Sequence, residues 1–373
     1  AEIFDINLKG ATERQEAFIN DEYGDFNTVE YGGNVRLSIP GFKFSFDEKL
    51  FNFFSTPFTS FSVAYNYQKR PDYTRTILNT TLGYRWRSNR YFSHTFNLLD
   101  LNAVRIFSLN PTFMEPIKDL YIISSYTDHI ISASNYSITY NSQAGARRND
   151  YRYFRLNFEG AGNVLWGLST ITGRDKVVPD ESVGGDQSPY FEYFNTRFAQ
   201  YLKADFDYRY GYRFNKYNSF ASRIFTGIAF PYGNFNVMPF ERRYFTGGAN
   251  GIRAWQVRSL GPGSYIAGEE EYPNQSADIK LEANVEYRFK LFWMLEGAVF
   301  VDAGNIWAIN HLDNRPGAVF EFNRFYKEFA IGTGFGLRLV KSYFILRGDV
   351  GLKLRDPSLP EGMRWIPQTR QFA

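Results

Sequence analysis

The chain has 373 residues, and its 42 Lys and Arg against 39 Asp and Glu give a formal net charge of +3. This near balance argues against a nucleic-acid-binding protein, which usually carries a concentrated basic surface. Phe, Trp and Tyr make up 19% of the residues, although the mean hydropathy is −0.38. Few soluble cores use so many rings, whereas a transmembrane β-barrel places them against lipid and at its two rims.

The sequence contains no cysteine, which excludes disulfides, thiolate metal sites and a cysteine nucleophile. It also offers no run of about 18 apolar residues, the length that a transmembrane helix needs. The first residues, Ala1 to Phe4, show no basic region followed by an apolar one, so we expect that any signal peptide has been removed. A helical membrane protein is thereby excluded. A closed β-barrel is allowed, because its strands satisfy one another's backbone groups.

Apolar and polar residues alternate with period two along much of the chain, which is the pattern of β-strands. The alternating segments are, in chain order, 35–39, 61–67, 82–86, 136–140, 154–158, 205–214 and 281–290. In 205–214 the even positions are all Phe or Tyr, whereas the odd positions are Asp, Arg or Gly. We expect the aromatic face to contact lipid and the polar face to line a hydrated lumen. No helical period extends over a comparable length.

Turn signals separate these segments, at 69–72, 87–90, 147–150 and 214–216. Counting the alternating runs gives about fourteen strands. Long loops are expected at 180–189 and 239–273, and Pro111 to Asp119 interrupts the pattern as a turn or a short helix. We therefore predict an all-β fold in which residues 1–373 form one transmembrane antiparallel β-barrel. A soluble β-sandwich or lipocalin-like barrel is the less favoured alternative, because a sandwich buries mainly aliphatic side chains.

The loop over 239–273 holds the densest cluster of unusual residues. Its glycines are Gly247, Gly248, Gly251, Gly261 and Gly263. Glycine permits sharp turns and positive φ, so we expect this segment to fold back on itself. Arg253 lies between Ile252 and the pair Ala254 and Trp255.

An acid, Asp302, interrupts the otherwise apolar segment 299–307. It shares a strand face with Phe300 and Gly304, because residues two apart point to the same side. A carboxylate on such a face needs a partner, and an arginine is the most economical one. A later strand carries glycine at alternate positions, namely Gly332, Gly334 and Gly336. Such a row lets a loop or an aromatic ring pack closely.

These segments resemble the barrel domain of the BamA/TamA superfamily of outer-membrane assembly factors, which includes the two-partner-secretion transporters. Glu-Arg-Arg-Tyr-Phe-Thr-Gly-Gly at 241–248, followed by Ile-Arg-Ala-Trp and Leu-Gly-Pro-Gly, is similar to the signature of the family's sixth loop. The segment Phe300-x-Asp302-x-Gly304-Asn305 resembles the companion strand motif. The continuation Leu-Gly-Pro-Gly-Ser-Tyr is most similar to the TamL-type members of the family.

The resemblance implies a sixteen-stranded barrel whose loop enters the lumen, where Arg253 pairs with Asp302. The candidate functional residues are Ile252, Arg253, Ala254, Trp255, Phe300, Asp302 and Gly304. The family's usual Arg-Gly-Tyr or Arg-Gly-Phe is replaced here by Arg253-Ala254-Trp255, and Ala254 narrows the backbone freedom of the turn. In a hydrated lumen an ion pair contributes only about 0 to 1 kcal/mol. We therefore expect the pair to position the loop, so that Arg253→Ala leaves the barrel folded but impairs its function.

The resemblance also implies parts that we expect to lie outside this chain. These are the first and last strands, whose weakly paired seam accepts an incoming strand in this family, and the preceding periplasmic polypeptide-transport-associated (POTRA) domains. The chain stops at Phe372 and Ala373 without the family's closing strand. About fourteen counted strands and the missing edges together agree with the family's sixteen.

Catalytic and metal sites find little support in the sequence. The three histidines, His94, His129 and His311, lack the spacing of metal ligands. Ser93 and His94 are neighbours, so on a strand they point to opposite faces and cannot form a nucleophile and base pair. We expect no catalytic residue, no metal and no other cofactor.

The function that the resemblance implies is insertion of client proteins into the outer membrane of a Gram-negative bacterium, or their translocation across it, through a weak lateral seam. The partners would be client outer-membrane proteins, outer-membrane lipids, and accessory subunits that span the periplasm or carry a lipid anchor, but no nucleic acid. Two alternatives are export of a partner protein through the lumen, as in two-partner secretion, and passive diffusion through a porin. The signatures around Arg253 and Asp302 favour the assembly family over the porin.

Overall fold

The computed structural model describes most of the chain. The described residues are 2–13, 28–43, 54–70, 73–109, 127–144, 149–179, 188–266, 275–310, 312–341 and 343–366. The predicted interruption at Pro111 to Asp119 lies outside them, as does most of the predicted loop over 180–189. Within the described residues, the strands follow the alternation that the sequence shows.

Within these described ranges the chain forms fifteen strands. β1 to β5 are Ile3–Glu13, Thr28–Pro40, Ser55–Lys69, Tyr73–Arg87 and Phe92–Leu109. β6 to β10 are His129–Asn141, Asp150–Ala161, Glu192–Tyr193, Thr196–Arg197 and Tyr201–Arg213. β11 to β15 are Asn218–Pro231, Ile279–Phe292, Leu295–Trp307, Ala330–Lys341 and Phe344–Arg355. Thirteen strands form one sheet in sequence order, and β8 and β9 form a separate short hairpin. The all-β prediction is confirmed.

The register between β12 and β15 brings residues from four strands side by side. Glu286 lies opposite Phe300, which lies opposite Gly334. Gly334 lies in turn opposite Gly351. The neighbouring row consists of Asn284, Asp302, Gly332 and Lys353. Directly opposed residues of antiparallel strands share a sheet face. Both rows therefore lie on one face of the sheet, which we call the inner face.

The two faces of the sheet differ as the alternation predicts. On β12, Val285 and Tyr287 are 45% and 40% exposed, whereas Glu286, on the inner face, is 7% exposed. On β10, the exposed Phe206 alternates with the buried Asp207. The rings and aliphatic side chains thus lie on the outer face of the sheet, where lipid would contact them. The charged side chains lie on the inner face.

Two of the predicted turns form with the same hydrogen bonds. Between β10 and β11, Oδ1 of Asn215 accepts from two backbone N–H groups further along the chain, at 2.8 and 2.9 Å. Asn89 accepts in the same way between β4 and β5. Asparagine is favoured at such turns because its side chain satisfies the turn's own backbone. The predicted turn over 69–72 falls between β3 and β4, although Pro71 and Asp72 lie outside the described residues.

A nine-residue helix, α1 (Asn163–Ile171), follows β7. The sequence did not predict it, because two and a half turns give too short a periodic signal. Ser169 connects the helix to the hairpin of β8 and β9, since it is fully buried and its hydroxyl lies 3.1 Å from the hydroxyl of Tyr193. Throughout the described ranges, every helix is too short or too polar to span a bilayer.

Packing divides the chain into two compact units. The first comprises Ala1–Ile138, Asn157–Lys203 and Phe230–Pro239. Within it, the buried Asn234 accepts a hydrogen bond from the backbone N–H of Phe191 at 2.6 Å and donates to the carbonyl of Phe198 at 2.9 Å. The second unit comprises Thr139–Leu156, Ala204–Ala229 and Phe240–Ala373. It contains all of the candidate functional residues.

The connection between β13 and β14 buries a carboxylic acid beside a tryptophan. Trp307 is fully buried, and its Nε1 donates to Oε2 of Glu328 at 2.7 Å. Burial raises the pKa of Glu328, although the Trp307 hydrogen bond and the charge of Arg324 oppose the shift. The folded state therefore holds this proton more tightly than the unfolded chain does. The stability that this group contributes is complete below the ordinary pKa of 4.5 and is lost as the pH rises through the folded-state pKa.

We predict that Glu328→Gln, which keeps an acceptor for Trp307, removes this pH dependence. Thermal unfolding in detergent should show the variant equal to wild type near pH 4 and more stable near pH 8, by about 1 kcal/mol at most. A difference in stability that does not change between the two pH values would contradict the assignment.

Candidate functional site

The inner loop, residues 240–266, lies against the inner face of the second unit. It begins with a short 3-10 turn at Phe240–Arg242 and then pairs once with the sheet, through a bridge between Tyr244 and Ala277. Further along, the backbone N–H of Gly248 donates to the carbonyl of Trp255 at 2.8 Å. The segment folds back on itself, as its glycines predict.

Left-handed backbone occurs at all but one of the predicted turn glycines. The φ values are +90°, +81°, +80° and +56° at Gly247, Gly248, Gly261 and Gly263. Gly251 does not adopt this conformation. Glycine fits at this position because there is no room for a side chain. A Cβ at Gly251 would lie 2.7 Å from Oε1 of Glu282.

The tip of the inner loop carries Arg253, whose side chain reaches Asp302 on β13. Nε donates to Oδ2 and Nη2 donates to Oδ1, both at 2.8 Å, and the backbone N–H of Arg253 reaches Oδ2 at 3.1 Å. Asn284 donates to the same carboxylate and to the carbonyl of Gly251, both at 2.9 Å. The forked geometry fixes orientation as well as distance. The structure thus brings together the two residues whose pairing the resemblance implies.

A second carboxylate, Glu286 on β12, extends this pair into a network. It accepts from Nη1 of Arg253, from Nη2 of Arg338 at 2.8 Å and from Nε of Arg288 at 2.6 Å. A third, Asp349 on β15, lies 3.5 Å from Arg338 and 3.8 Å from Arg253. We call these residues, together with Asp302, the arginine network. It connects the loop tip to four neighbouring strands.

The guanidinium of Arg253 also lies over the ring of Phe300, with Cζ 3.4 Å from the ring centroid. Phe300 is 2% exposed, and exclusion of water strengthens such a cation–π contact. Gly334 makes room for the ring, because a Cβ there would lie 2.4 Å from Cζ of Phe300. The glycine row therefore accommodates a ring, as the sequence suggested.

Ala254 packs on glycines of β14 and β15. A Cβ at Gly332 would lie 2.8 Å from Cβ of Ala254, and a Cβ at Gly351 would lie 2.8 Å from Cα of Ala254. The backbone of Ala254 is not in the left-handed region. Alanine is therefore compatible with this turn, and the expected restriction does not distort it.

Apolar contacts hold the residues on either side of Arg253. Ile252 and Trp255 are 0% and 5% exposed and form a buried cluster with Leu260 and Ala330. Full burial of side chains of this size contributes about 1.5 to 3 kcal/mol each. A Cβ at Gly304 would lie 3.2 Å from Cδ1 of Ile252, so this glycine leaves space for the isoleucine.

The arginine network is buried, whereas the sequence led us to expect a hydrated pair. The side chains of Arg253 and Asp302 are 7% and 0% exposed. Desolvation alone would lower the pKa of Arg253, but its hydrogen bonds to Asp302 and Glu286 outweigh that effect and raise the pKa above its ordinary value. Arg253 therefore stays charged. Removing one partner of a buried pair costs about 3 to 5 kcal/mol, compared with about 0 to 1 for an exposed pair.

Several members of this site were missed in the sequence, among them Asn284, Glu286 and Arg338. Asn284 and Glu286 lie on the polar side of the segment 281–290, where they resemble any lumen-lining residues. Arg338 follows the glycine row by two residues and shares its strand face. The alternation could have placed all three on the inner face, but the depth of the loop tip decides which inner-face residues it meets.

His94, which the sequence analysis considered as a catalytic base, makes contacts with structural partners instead. Nδ1 of His94 lies 2.7 Å from the hydroxyl of Tyr136, and Nε2 lies 2.9 Å from Oγ of Ser88. In the part of the chain that the structure describes, His, Asp and Glu side chains form no cluster of three or more that could hold a metal ion.

One family model matches most of the chain. The Omp85 superfamily domain matches residues 15–365. None of the curated proteins matches the sequence significantly. Among solved structures, BamA from Haemophilus ducreyi lacking POTRA domains 1–3 is similar in fold, with a TM-score of 0.58 at 13% identity over 94% of this chain. CdiB from Escherichia coli has a TM-score of 0.46 at 8% identity over 88% of this chain. The chain covers 66% of the BamA structure and 53% of the CdiB structure.

Proposed function

Because this chain belongs to the Omp85 superfamily, we propose that it is the barrel domain of a factor that inserts client proteins into the outer membrane of a Gram-negative bacterium, or translocates them across it. The observation that carries the proposal is the buried contact of Arg253 with Asp302 and Glu286. A diffusion pore needs no such contact, since a pore has to leave its lumen open.

The proposed mechanism makes and breaks no covalent bond, and the protein acts by presenting surfaces. The arginine network fastens the inner loop to β12, β13, β14 and β15, so these strands would move as one body with the loop. Next to such a rigid region, a weakly paired seam would expose unpaired backbone groups, which are costly in lipid. An incoming client strand can satisfy them by β-augmentation. The docked loop would keep the seam in the shape that accepts this strand.

Within the superfamily we favour a TamL-type role. It rests on Ala254 and Trp255 and on the segment Leu260 to Tyr265. The partners would be client outer-membrane proteins, outer-membrane lipids and accessory subunits of the periplasmic or lipoprotein kind. The same family includes exporters of single partner proteins, so translocation through the lumen is the competing outcome of the test.

The test measures client folding in liposomes that contain the full-length protein. A radiolabelled outer-membrane barrel client is added in urea, and its folding is followed by the heat-sensitive shift of its mobility in SDS gels. Matched liposomes without the protein give the background rate, and an entrapped dye reports leakage. We expect faster client folding than the background and little dye release. Dye release without faster folding would identify a pore and would contradict the proposal. Protection of the client inside the liposomes without its insertion would contradict insertion and would favour export through the lumen.

A further inference from the structure

A cavity of about 750 Å³ lies on the inner face of the second unit, beside the tip of the inner loop. Its volume falls in the range of about 300 to 1,000 Å³ that is usual for ligand sites. The arginines that line it are Arg209, Arg213, Arg223, Arg253, Arg288 and Arg347. Among the described residues that line the cavity, Glu286 is the one carboxylate.

The acids that neutralise these arginines lie behind them. The side chain of Asp207 is 1% exposed, whereas that of its partner Arg209 is 47% exposed. Glu286 is 8% exposed, whereas its partner Arg288 is 43% exposed. Arg347 is 34% exposed and pairs with an acid that is 8% exposed. In each pair the guanidinium is therefore more exposed than the carboxylate, so the arginines dominate the charge that the cavity presents although the pairs are neutral.

Neutral hydrogen-bonding groups complete the walls. They are supplied by Gln143, Asn149, Ser219 and Asn250. Such a mixture of charged and neutral donors suits an extended polypeptide, whose backbone and side chains both need partners.

The position of the cavity decides between a peptide and a membrane lipid. It lies on the inner face, whereas the apolar side chains that would meet acyl chains, such as Ile224 and Val285, are exposed on the other face. A bilayer lipid would have to leave its leaflet to reach the arginines. A polypeptide segment that enters the lumen would meet them directly.

We infer that this cavity binds an acidic, extended polypeptide segment through carboxylates that contact Arg209, Arg288 and Arg347. Arginine suits this role because its planar fork binds a carboxylate with two parallel hydrogen bonds. The inference rests on the proposed function in one respect, namely that the segment would belong to a client. Arg253 and Glu286 belong to both the cavity and the arginine network, so an occupant would contact the residues that dock the loop.

The test uses binding alone and so does not depend on insertion activity. The full-length protein in detergent is titrated against a ten-residue peptide that carries four glutamates and a neutral fluorophore, and anisotropy reports binding. The same peptide with four glutamines is the matched probe. We expect the glutamate peptide to bind at least about tenfold more tightly than the glutamine peptide, and added salt to weaken its binding.

The variant is Arg209→Gln combined with Arg288→Gln. Both acids keep other cations, because Asp207 still pairs with Arg223 and Glu286 still pairs with Arg253 and Arg338. The matched control is Arg152→Gln, since Arg152 is exposed and follows the cavity-lining Tyr151 on β7, so it points to the opposite face. We expect the double variant to lose about tenfold in affinity and the control to lose none.

Three outcomes would overturn the inference. Equal binding of the two peptides would show that carboxylates are not recognised. Unchanged binding by the double variant would place the peptide elsewhere. Displacement of the peptide by glycerol phosphate at lower concentration than by glutamate would assign the cavity to a lipid headgroup. None of these results would change the outcome of the client-folding test, so the two proposals can fail separately.

Discussion

Arg253→Ala is expected to undock the tip of the inner loop and to abolish client insertion while the strands remain folded. The described ion pairs give Asp302 one cation, Arg253, so the variant leaves a fully buried carboxylate with only Asn284 as a hydrogen-bond donor from a side chain. The cost of stranding a buried charge is about 3 to 5 kcal/mol, which shifts the docking equilibrium by about two to four powers of ten. Undocking relieves that cost, because it lets water reach Asp302.

Asp302→Ala should impair loop docking and client insertion less than Arg253→Ala does. In that variant Arg253 keeps its contact with Glu286 and its position over Phe300. The double variant Arg253→Ala with Asp302→Ala should recover part of the client insertion that Arg253→Ala loses, because it removes the stranded carboxylate. If Arg253→Ala and Asp302→Ala lost client insertion equally, the expected difference between removing the arginine and removing the aspartate would be wrong.

Hydrogen exchange measures loop docking directly. The informative amides are those of Gly248 and Arg253, which donate to Trp255 and Asp302 within the docked tip. We expect Arg253→Ala to lose their protection, while the heat-sensitive gel mobility that reports a folded barrel is unchanged. Asp313→Ala is the matched control, since Asp313 is a buried acid with an arginine partner outside the inner loop.

Gly351→Val is expected to have the second largest effect on loop docking and client insertion, because the valine would occupy the space in which the loop tip packs against β15. A Cβ at Gly351 would lie 2.8 Å from the carbonyl oxygen of Arg253 and 2.8 Å from Cα of Ala254. The nearest atoms belong to backbone, so no side chain can move aside. The branched valine should therefore displace the tip, with a cost of several kcal/mol, since even added methylene groups in a packed core cost about 1 to 3 kcal/mol.

The matched control for this substitution lies on the same strand. Gly348 has no heavy atom within 4 Å of the position of an added Cβ. Gly348→Val should preserve both amide protection in the loop and client insertion, whereas Gly351→Val should lose both. If Gly351→Val retained protection of the Gly248 amide, the close packing of the tip on β15 would be wrong.

Local patterns in the sequence predicted much of the fold. Alternation gave the strands and their faces, because each strand of a half-buried sheet repeats the same period. Asn89 and Asn215 marked turns, since the side chain that closes each turn is local in sequence. Asp302 indicated that a cationic partner was needed, because an isolated acid in an apolar strand is costly. Each of these inferences depends on a few neighbouring residues.

The features that were missed depend on contacts between distant residues. Helix α1 is too short to show a period, and its stability comes from contacts such as the buried Ser169. The burial of the Arg253 and Asp302 pair could not be deduced, because it depends on how deeply the loop tip enters between the glycines of β14 and β15. The role of Glu286 could not be deduced for the same reason, since β12 carries two acids, Glu282 and Glu286, and the depth of the loop tip decides which of them Arg253 contacts.

The most direct measurement compares client folding rates in liposomes that contain wild type, Arg253→Ala or Asp313→Ala at equal amounts of folded protein. If the docked inner loop is required for insertion, Arg253→Ala should fall to the rate of liposomes without protein, whereas Asp313→Ala should keep the wild-type rate. A wild-type folding rate for Arg253→Ala, in a sample whose Gly248 amide has lost protection, would contradict the requirement for a docked loop.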